Sequence, residues 1–327
     1  MSYRRFFLTR LAQALFALWL VATLVFVMFF VVLSRPTRNL AGGPQATPAA
    51  IQGVSRELHL RAPLHEQYAS YMWRLVAHQT AGTDPGAYGA PSGLEKTRVL
   101  TDTGAIARQA IPPTLSVVIL TLAFSLGVGG LAGFALARRP WRGVYGLPIY
   151  VALGLLPVWV GLELSYYLGV RWGVVPIANY CNFFASKGDS CGGPVNWIKH
   201  LILPVVTLSL AFAAVYTRMI RAGLVRAGSD RERRRAFGLF LARVAAFDFG
   251  ALIGLSVFVE ATFQIPGLGR LTLISYQAQD LVLMQSAVLY AAFLGIAASF
   301  LVDALVAALD PDIRGEWRFV ARPRRAT

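Results

Sequence analysis

Charge is scarce in this chain of 327 residues: Asp, Glu, Lys and Arg make up 14% of it, against 56% hydrophobic residues. A soluble domain of this length needs more polar surface, so the composition excludes an ordinary soluble protein and indicates a polytopic membrane protein. Acids are the scarcer sign, 16 against 31 Lys and Arg, for a net charge of +15. A basic balance can serve nucleic acid, but here the arginines lie between apolar runs, the pattern that orients membrane helices, so nucleic acid is not an expected partner. Catalytic signatures are also missing. There is no GxxxxGK followed by Ser or Thr, which excludes ATP binding through a P-loop of this chain's own, and there is no HExxH or GxSxG. His59, His65, His78 and His200 are scattered and read as surface or interfacial residues. Gly267-Leu268-Gly269 lacks the strand before and the helix after that a dinucleotide site requires. No catalytic residue, cofactor site or metal site is expected.

Long apolar runs are what the chain does have. A spanning helix needs about 20 mostly apolar residues, and six stretches qualify: about 11–33, 112–137, 144–168, 200–220, 239–262 and 281–309. The first follows Arg4, Arg5 and Arg10, as a signal peptide would. Its apolar run is too long for one and no A-x-A site follows promptly, so it is read as a retained helix. Alternate connections then sort by charge. One set holds the N-terminal arginines, Arg138, Arg139 and Arg142, the run from Arg218 to Arg243, and Arg314 to Arg325; the short connections opposite hold only Arg171, Lys187, Lys199 and Arg270. Both termini are therefore expected on the cytoplasmic side. The expected organisation is an N-terminus with the first span (1–33), an external segment (34–110), a five-helix core (111–310) with an inner connection at about 218–240, and a basic tail (311–327).

The external segment opens on a flexible linker, GGPQATPAA, and then places Leu64, Tyr68, Tyr71, Met72 and Leu75 at helical spacing. That predicts one amphipathic helix, lying on the membrane surface or on the bundle. Cys181 and Cys191 bracket NFFASKGDS in an outer connection. An oxidising outer compartment suits a disulfide closing this short loop; two free thiols are the alternative, and zinc is not expected without a histidine inside the loop.

Three acids fall inside apolar runs: Glu163, Asp248 and Asp303. Intramembrane acids either carry ions along a pathway or pair with arginines, hydroxyls or a partner helix. GVGGLAG, residues 127–133, sets small residues four apart, which lets another helix approach closely. Pro157 and Pro204 are expected to interrupt the third and fourth spans. EATFQIPGLGR, residues 260–270, is a charged, turn-forming segment between two apolar runs. Glu260, Pro266, Gly267, Gly269 and Arg270 are its notable residues, expected to fix the turn or to meet an external partner, with a plain solvated connector as the alternative.

Several stretches together resemble one family. RRFFLTRLAQALFALWLVATLVFVMFF, LHLRAPLHEQYASYMWRLV, IPPTLSVVILTLAFSLGVGGLAGFALARR, LPVWVGLELSYYLGVRWGVVP, HLILPVVTLSLAFAAVYTRMIRAGL, VEATFQIPGLGRL and LVDALVAALDPDIRG occur in the order found in the inner-membrane permeases of binding-protein-dependent ABC importers of the dipeptide, oligopeptide and nickel type. The resemblance implies an all-α fold of six transmembrane helices, the type I importer permease fold, in a bacterial cytoplasmic membrane. It implies a heterodimer with a second permease subunit, two ATP-binding cassette subunits that hold the ATP and Mg, an extracytoplasmic solute-binding protein, and membrane lipids around them. Peptides or similar small solutes are the implied cargo.

The inner connection departs from the family. There an acidic residue, two alanines and a glycine form a coupling helix, followed by a further helix bearing His and Pro. Here Asp230, Ala236 and Gly238 can be laid on the acidic, alanine and glycine positions, Arg234 falls near the first alanine, and the His-Pro part has no counterpart. A shortened contact through Arg231, Arg233, Arg234 and Arg235 is one reading, coupling carried mostly by the partner permease a second, and a topogenic, headgroup-binding segment a third. The alternative function is an ion-coupled secondary transporter using the intramembrane acids.

Overall fold

The computed structural model describes residues 3–28, 63–77, 83–84, 101–137, 157–184, 191–227, 231–278 and 280–309, with residues 48 and 52. The helices are α1 (Tyr3–Phe26), α2 (Leu64–Ala77), α3 (Thr103–Ala137), α4 (Pro157–Leu164), α5 (Pro194–Ala227), α6 (Arg231–Thr262), α7 (Leu268–Gln277) and α8 (Leu281–Leu309). A π-helical stretch, Ser165–Arg171, continues α4, and β1 (Thr83–Asp84) pairs antiparallel with β2 (Thr101–Asp102), Thr83 opposite Asp102. Five helices are long and apolar enough to cross a membrane: α1, α3, α5, α6 and α8. The remaining predicted span, 144–168, lies partly outside the described residues; its end is α4 and the π-helical stretch.

The core is shared by α3, α5 and α6. Val117 and Val118 of α3, Leu201, Leu203 and Leu208 of α5, Leu252 of α6, and Phe263 and Ile265 just beyond its end form one buried cluster. Helix α3 packs closely on α5, and glycine permits it. A Cβ on Gly129 would stand 2.6 Å from the Tyr216 Cβ, and one on Gly133 3.0 Å from the Thr217 carbonyl oxygen. Within the predicted small-residue motif these two form the seam, whereas a Cβ on Gly127 would meet open space.

The second span begins earlier than its apolar run suggested. Thr103, not Pro112, starts α3, so Pro112 and Pro113 lie inside the helix. Each proline removes an amide donor. The Ser116 hydroxyl donates to the Pro112 carbonyl at 2.7 Å. The added turns are held by packing: Ala107 and Ala110 are buried with Leu268 and Leu271 of α7 and Leu283 and Ala287 of α8. Burial of an apolar face outweighs a local penalty of this kind. Pro204 likewise lies inside an uninterrupted α5, where an interruption was expected, and Pro157 is the first residue of α4.

The amphipathic helix α2 lies on the bundle. Its Tyr68 hydroxyl is 2.8 Å from Thr23 Oγ1 of α1, and Phe26 stacks edge-on against Tyr68 and tilted against Tyr71. Tyr71 is fully buried, and burial, with Tyr68 beside it, pushes its phenol well above the ordinary range, so it remains neutral.

One end of the bundle gathers the arginine-bearing helix ends. Arg10 of α1 pairs with Asp303 of α8 at 3.4 Å, and Arg221 near the end of α5 donates to the Leu136 carbonyl at the end of α3. Phe237 of α6 covers Gly223 of α5 at the same end. The opposite end holds the start of α3, the end of α6, α7 and the start of α8.

Candidate functional site

The turn after α6 is tied down through a single carboxyl group. At the end of α6 the Ile265 amide donates to the Glu260 carbonyl (2.9 Å), while Gln264 takes a left-handed conformation, φ 55°. This six-residue closure satisfies a helix C-terminus, a role that glycine usually fills. The chain then turns through Pro266 and Gly267 and starts α7 at Leu268. Gly267 precedes α7 without a side chain to cap it, and the first amides of a helix have no partner within it. Two distant residues take that role. The Leu268 amide donates to Thr114 Oγ1 of α3 (2.8 Å), and the Arg270 amide donates to Glu260 Oε2 (3.0 Å), with the Gly269 amide also bonded to that carboxyl group. Glu260 Oε1 accepts from the Thr114 and Ser256 hydroxyls at 2.8 and 2.9 Å.

Glu260 is 0% exposed. A buried carboxyl group is tolerated only when its acceptor capacity is met, and four donors meet it here. Both glycines are required by space. A Cβ on Gly267 would collide with the Glu260 carboxyl and Thr114, and one on Gly269 would lie 2.5 Å from the Val257 Cα. The segment 260–270 therefore fixes its own turn. Glu260, Gly267 and Gly269 are buried; Gln264 and Pro266 are exposed and Arg270 is half-buried, and these three can meet an external partner.

A second loop locks onto this turn. The Asn179 amide donates to the Phe263 carbonyl (3.0 Å), and the Arg270 guanidinium donates to the Gln264 carbonyl (2.9 Å). Cys181 and Cys191 are joined in a disulfide with Cα atoms 5.3 Å apart. His200 Nδ1 lies 3.3 Å from Cys181 Sγ and 2.8 Å from the Asn196 carbonyl oxygen. Tyr180 is fixed by Trp197, whose indole donates to the Tyr180 hydroxyl (3.1 Å), and by Ser116 (3.1 Å). A cleft of about 460 Å³ opens between these parts, lined by Gln109, Tyr180, Asn182, Pro266, Arg270 and Ile274 among others.

The three intramembrane acids are not brought together as one site. Asp248 of α6 accepts from the Tyr216 hydroxyl of α5 at 2.5 Å, and Asp303 pairs with Arg10. Glu163 is half-buried on α4. The predicted inner connection is helical rather than a loop wherever it is described. α5 runs to Ala227, and α6 starts at Arg231 instead of the expected Leu239, so the arginine run forms the first turns of the fifth-span helix. Arginine is a good helix former and nothing in RERRRAFG breaks the helix. Arg234, Arg235 and Gly238 are exposed, Asp230 lies outside the described residues, and Arg231, Arg233 and Ala236 are placed by backbone only.

Two features of the site had no place in the reading of the sequence. Ser256 precedes Glu260 by four residues and shares its helix face, a spacing that could have identified it. Thr114 is 146 residues away from Glu260 and carries no such signal. Asp280 caps α8, accepting from the Leu283 amide at 3.0 Å; an Asp directly before an apolar run is a legible helix start.

Helices of this length, a polar-tied turn at one end and arginines at the other are those of a polytopic membrane protein. Residues 3–117 match the N-terminal part of the binding-protein-dependent transport system membrane components, and residues 231–315 match the binding-protein-dependent transport system inner membrane component. The chain is 30% identical over 328 residues to the glutathione transport system permease protein of Salmonella paratyphi A, covering 94% of this chain and 98% of that one. It is 29% identical over 326 residues to the protein of the same name in Escherichia coli O6:H1, covering 93% and 97%. A provisionally named peptide transport system permease protein of Brucella abortus is 29% identical over 329 residues, covering 94% and 98%. The chain belongs to the inner-membrane components of binding-protein-dependent transport systems, and is a permease subunit of an ABC importer.

Proposed function

We propose that this chain and a second permease subunit line one pathway for peptides or chemically similar small solutes, glutathione being the cargo named for two of its relatives. Both termini and the α5–α6 hairpin face the cytoplasm. Two ATP-binding cassette subunits, which hold the ATP and Mg, dock there on the arginine-bearing start of α6. This chain binds no nucleotide and hydrolyses none. A solute-binding protein meets the opposite face, where Gln264, Pro266 and Arg270 are accessible.

The observation that carries this reading is the continuity of α6. It is a single helix of 32 residues, about 48 Å long at 1.5 Å per residue. Its first turns hold the arginines and its last turn holds Glu260. A displacement imposed at the arginine end by closing ATPases therefore reaches the outer turn through a rod without a break. Because Glu260 also binds Thr114 of α3 and the start of α7, three elements move with it.

Charge reversal at Arg231, Arg233, Arg234 and Arg235 tests the contact. The expected result is loss of ATPase co-purification and of stimulated hydrolysis, with membrane topology unchanged. Full complex yield and hydrolysis in a correctly inserted variant would refute it. Uptake by this chain alone in ATP-free liposomes, driven by an ion gradient and lost on neutralising Glu163, Asp248 or Asp303, would replace the reading with secondary transport.

A further inference from the structure

The Cys181–Cys191 disulfide and His200 form a cluster that the proposed pathway does not use. The two sulfurs and a ring nitrogen lie within 4.8 Å of one another. The sulfurs differ in their surroundings. Cys181 is 1% exposed, whereas Cys191 is half-buried. His200 stands on the Cys181 side, with Nδ1 3.3 Å from Cys181 Sγ and 2.8 Å from the Asn196 carbonyl oxygen. A carbonyl oxygen only accepts, which places a ring proton on Nδ1 and shares that N–H between the carbonyl and the sulfur. The loop that carries the pair also borders the cleft of about 460 Å³. Tyr180 and Asn182, the chain neighbours of Cys181, both line it, and the Asn182 carbonyl accepts from the Gly193 amide at 3.0 Å.

We propose that this disulfide is a modification site for thiol-bearing peptides, opened by exchange at Cys191, with Cys181 as the leaving sulfur and His200 as the positioning residue beside it. In thiol–disulfide exchange a thiolate attacks one sulfur and the other departs. The rate rises with access to the first and with stabilisation of the second. Both criteria select the same direction here. The incoming thiolate bonds to Cys191 Sγ, the Cys181–Cys191 bond breaks, and its electron pair stays on Cys181 Sγ as a thiolate. The peptide thiol is oxidised into the mixed disulfide as Cys181 is reduced, so no further oxidant or reductant enters. The Nδ1–H of His200 already faces the departing sulfur, and a donor beside a sulfur anion favours its release. Exchange opens the closure next to Tyr180 and Asn182, so it acts on a wall of the cleft. The site rests on the geometry of this loop and not on which solute the pathway carries.

The test uses the assembled transporter in nanodiscs, with millimolar reduced glutathione as the probe. Free thiols are blocked with N-ethylmaleimide at set times and the peptides are mapped by mass spectrometry. Glutathione is expected on Cys191 and maleimide on Cys181, in about ten-fold excess over the reverse adduct. His200→Ala should slow adduct formation by roughly ten-fold and bring the two adducts near parity. His200→Gln, which keeps an N–H donor, should recover part of both. A purely structural histidine predicts the opposite, because a loosened loop exposes the bond and exchanges faster. The site is overturned by the absence of any adduct after hours, by glutathione chiefly on Cys181, or by a His200→Ala variant that exchanges as fast as wild type. Glutathione uptake in proteoliposomes separates this site from the cargo reading. The Cys191 adduct without uptake upholds the site and counts against glutathione as cargo; uptake without the adduct does the reverse.

Discussion

The two ends of the bundle treat polar groups in opposite ways. At the turn after α6 a carboxyl group is fully buried and every contact it makes is internal: two hydroxyls and two backbone amides close on Glu260, and a disulfide-bonded loop is bonded to the same turn. At the other end the charges are carried outward. Arg234 and Arg235 are exposed on the first turns of α6, and the face beside them is an apolar groove. The first end is built to hold one conformation, because an unmet buried donor or acceptor is costly. The second is less demanding, because exposed charge contributes little to the fold that carries it.

Breaking the end that holds Glu260 should produce the larger loss. Glu260→Ala takes the acceptor from the Thr114 hydroxyl and from the Gly269 and Arg270 amides, while Ser256 keeps the Ile253 carbonyl. It should destabilise the protein by roughly 3 kcal/mol and abolish uptake, measured by thermal denaturation in detergent and by transport in proteoliposomes. Glu260→Gln, which keeps one carbonyl acceptor, should lie between wild type and alanine. An alanine variant with wild-type melting behaviour would show that the turn does not depend on this group.

Opening the disulfide comes next. Cys181 and Cys191 are ten residues apart, so removing the link should cost about 2–3 kcal/mol through the unfolded chain. Cys181→Ser, or reductant added to the wild type, should lower the melting temperature, with the bond verified by mass spectrometry. Insensitivity to reductant would mean that Asn179 and Tyr180 hold the loop without it.

The arginine-bearing end should give the smallest change in stability and the clearest change in assembly. Arg234→Gln should alter stability by less than about 0.5 kcal/mol while reducing ATPase retention on purification. If it unfolds the protein, the contrast between a self-contained end and a partner-dependent end is lost.

How much of this could be read before folding differs by element. Periodicity and charge identified the spanning helices, the amphipathic α2 and the small-residue seam, because each follows from local spacing. They misplaced the start of α3, since Pro112 and Pro113 mark a boundary by themselves, whereas the burial of Ala107 and Ala110 carries the helix past it. The start of α6 was missed for the opposite reason. A run of arginines is read as a connection, yet its residues are compatible with helix and simply continue it. Only the start of α7, up to Arg270, fell in the segment read as a turn, and the rest was assigned to no element, because ten residues are too few to carry a spanning signal.

The amino-acid sequence by itself determined that this is a membrane protein, which end carries the positive charge, and where a carboxylate, a proline and two glycines had to interrupt the apolar pattern. Those are properties of composition and short-range order. Only the tertiary structure decided that Glu260 closes on Thr114 and the first amides of α7, and that Asp248 and Asp303 answer to Tyr216 and Arg10. The reason is physical: in a bundle, the partner of a buried polar group is chosen by which helices pack together, and that choice joins residues far apart in the chain.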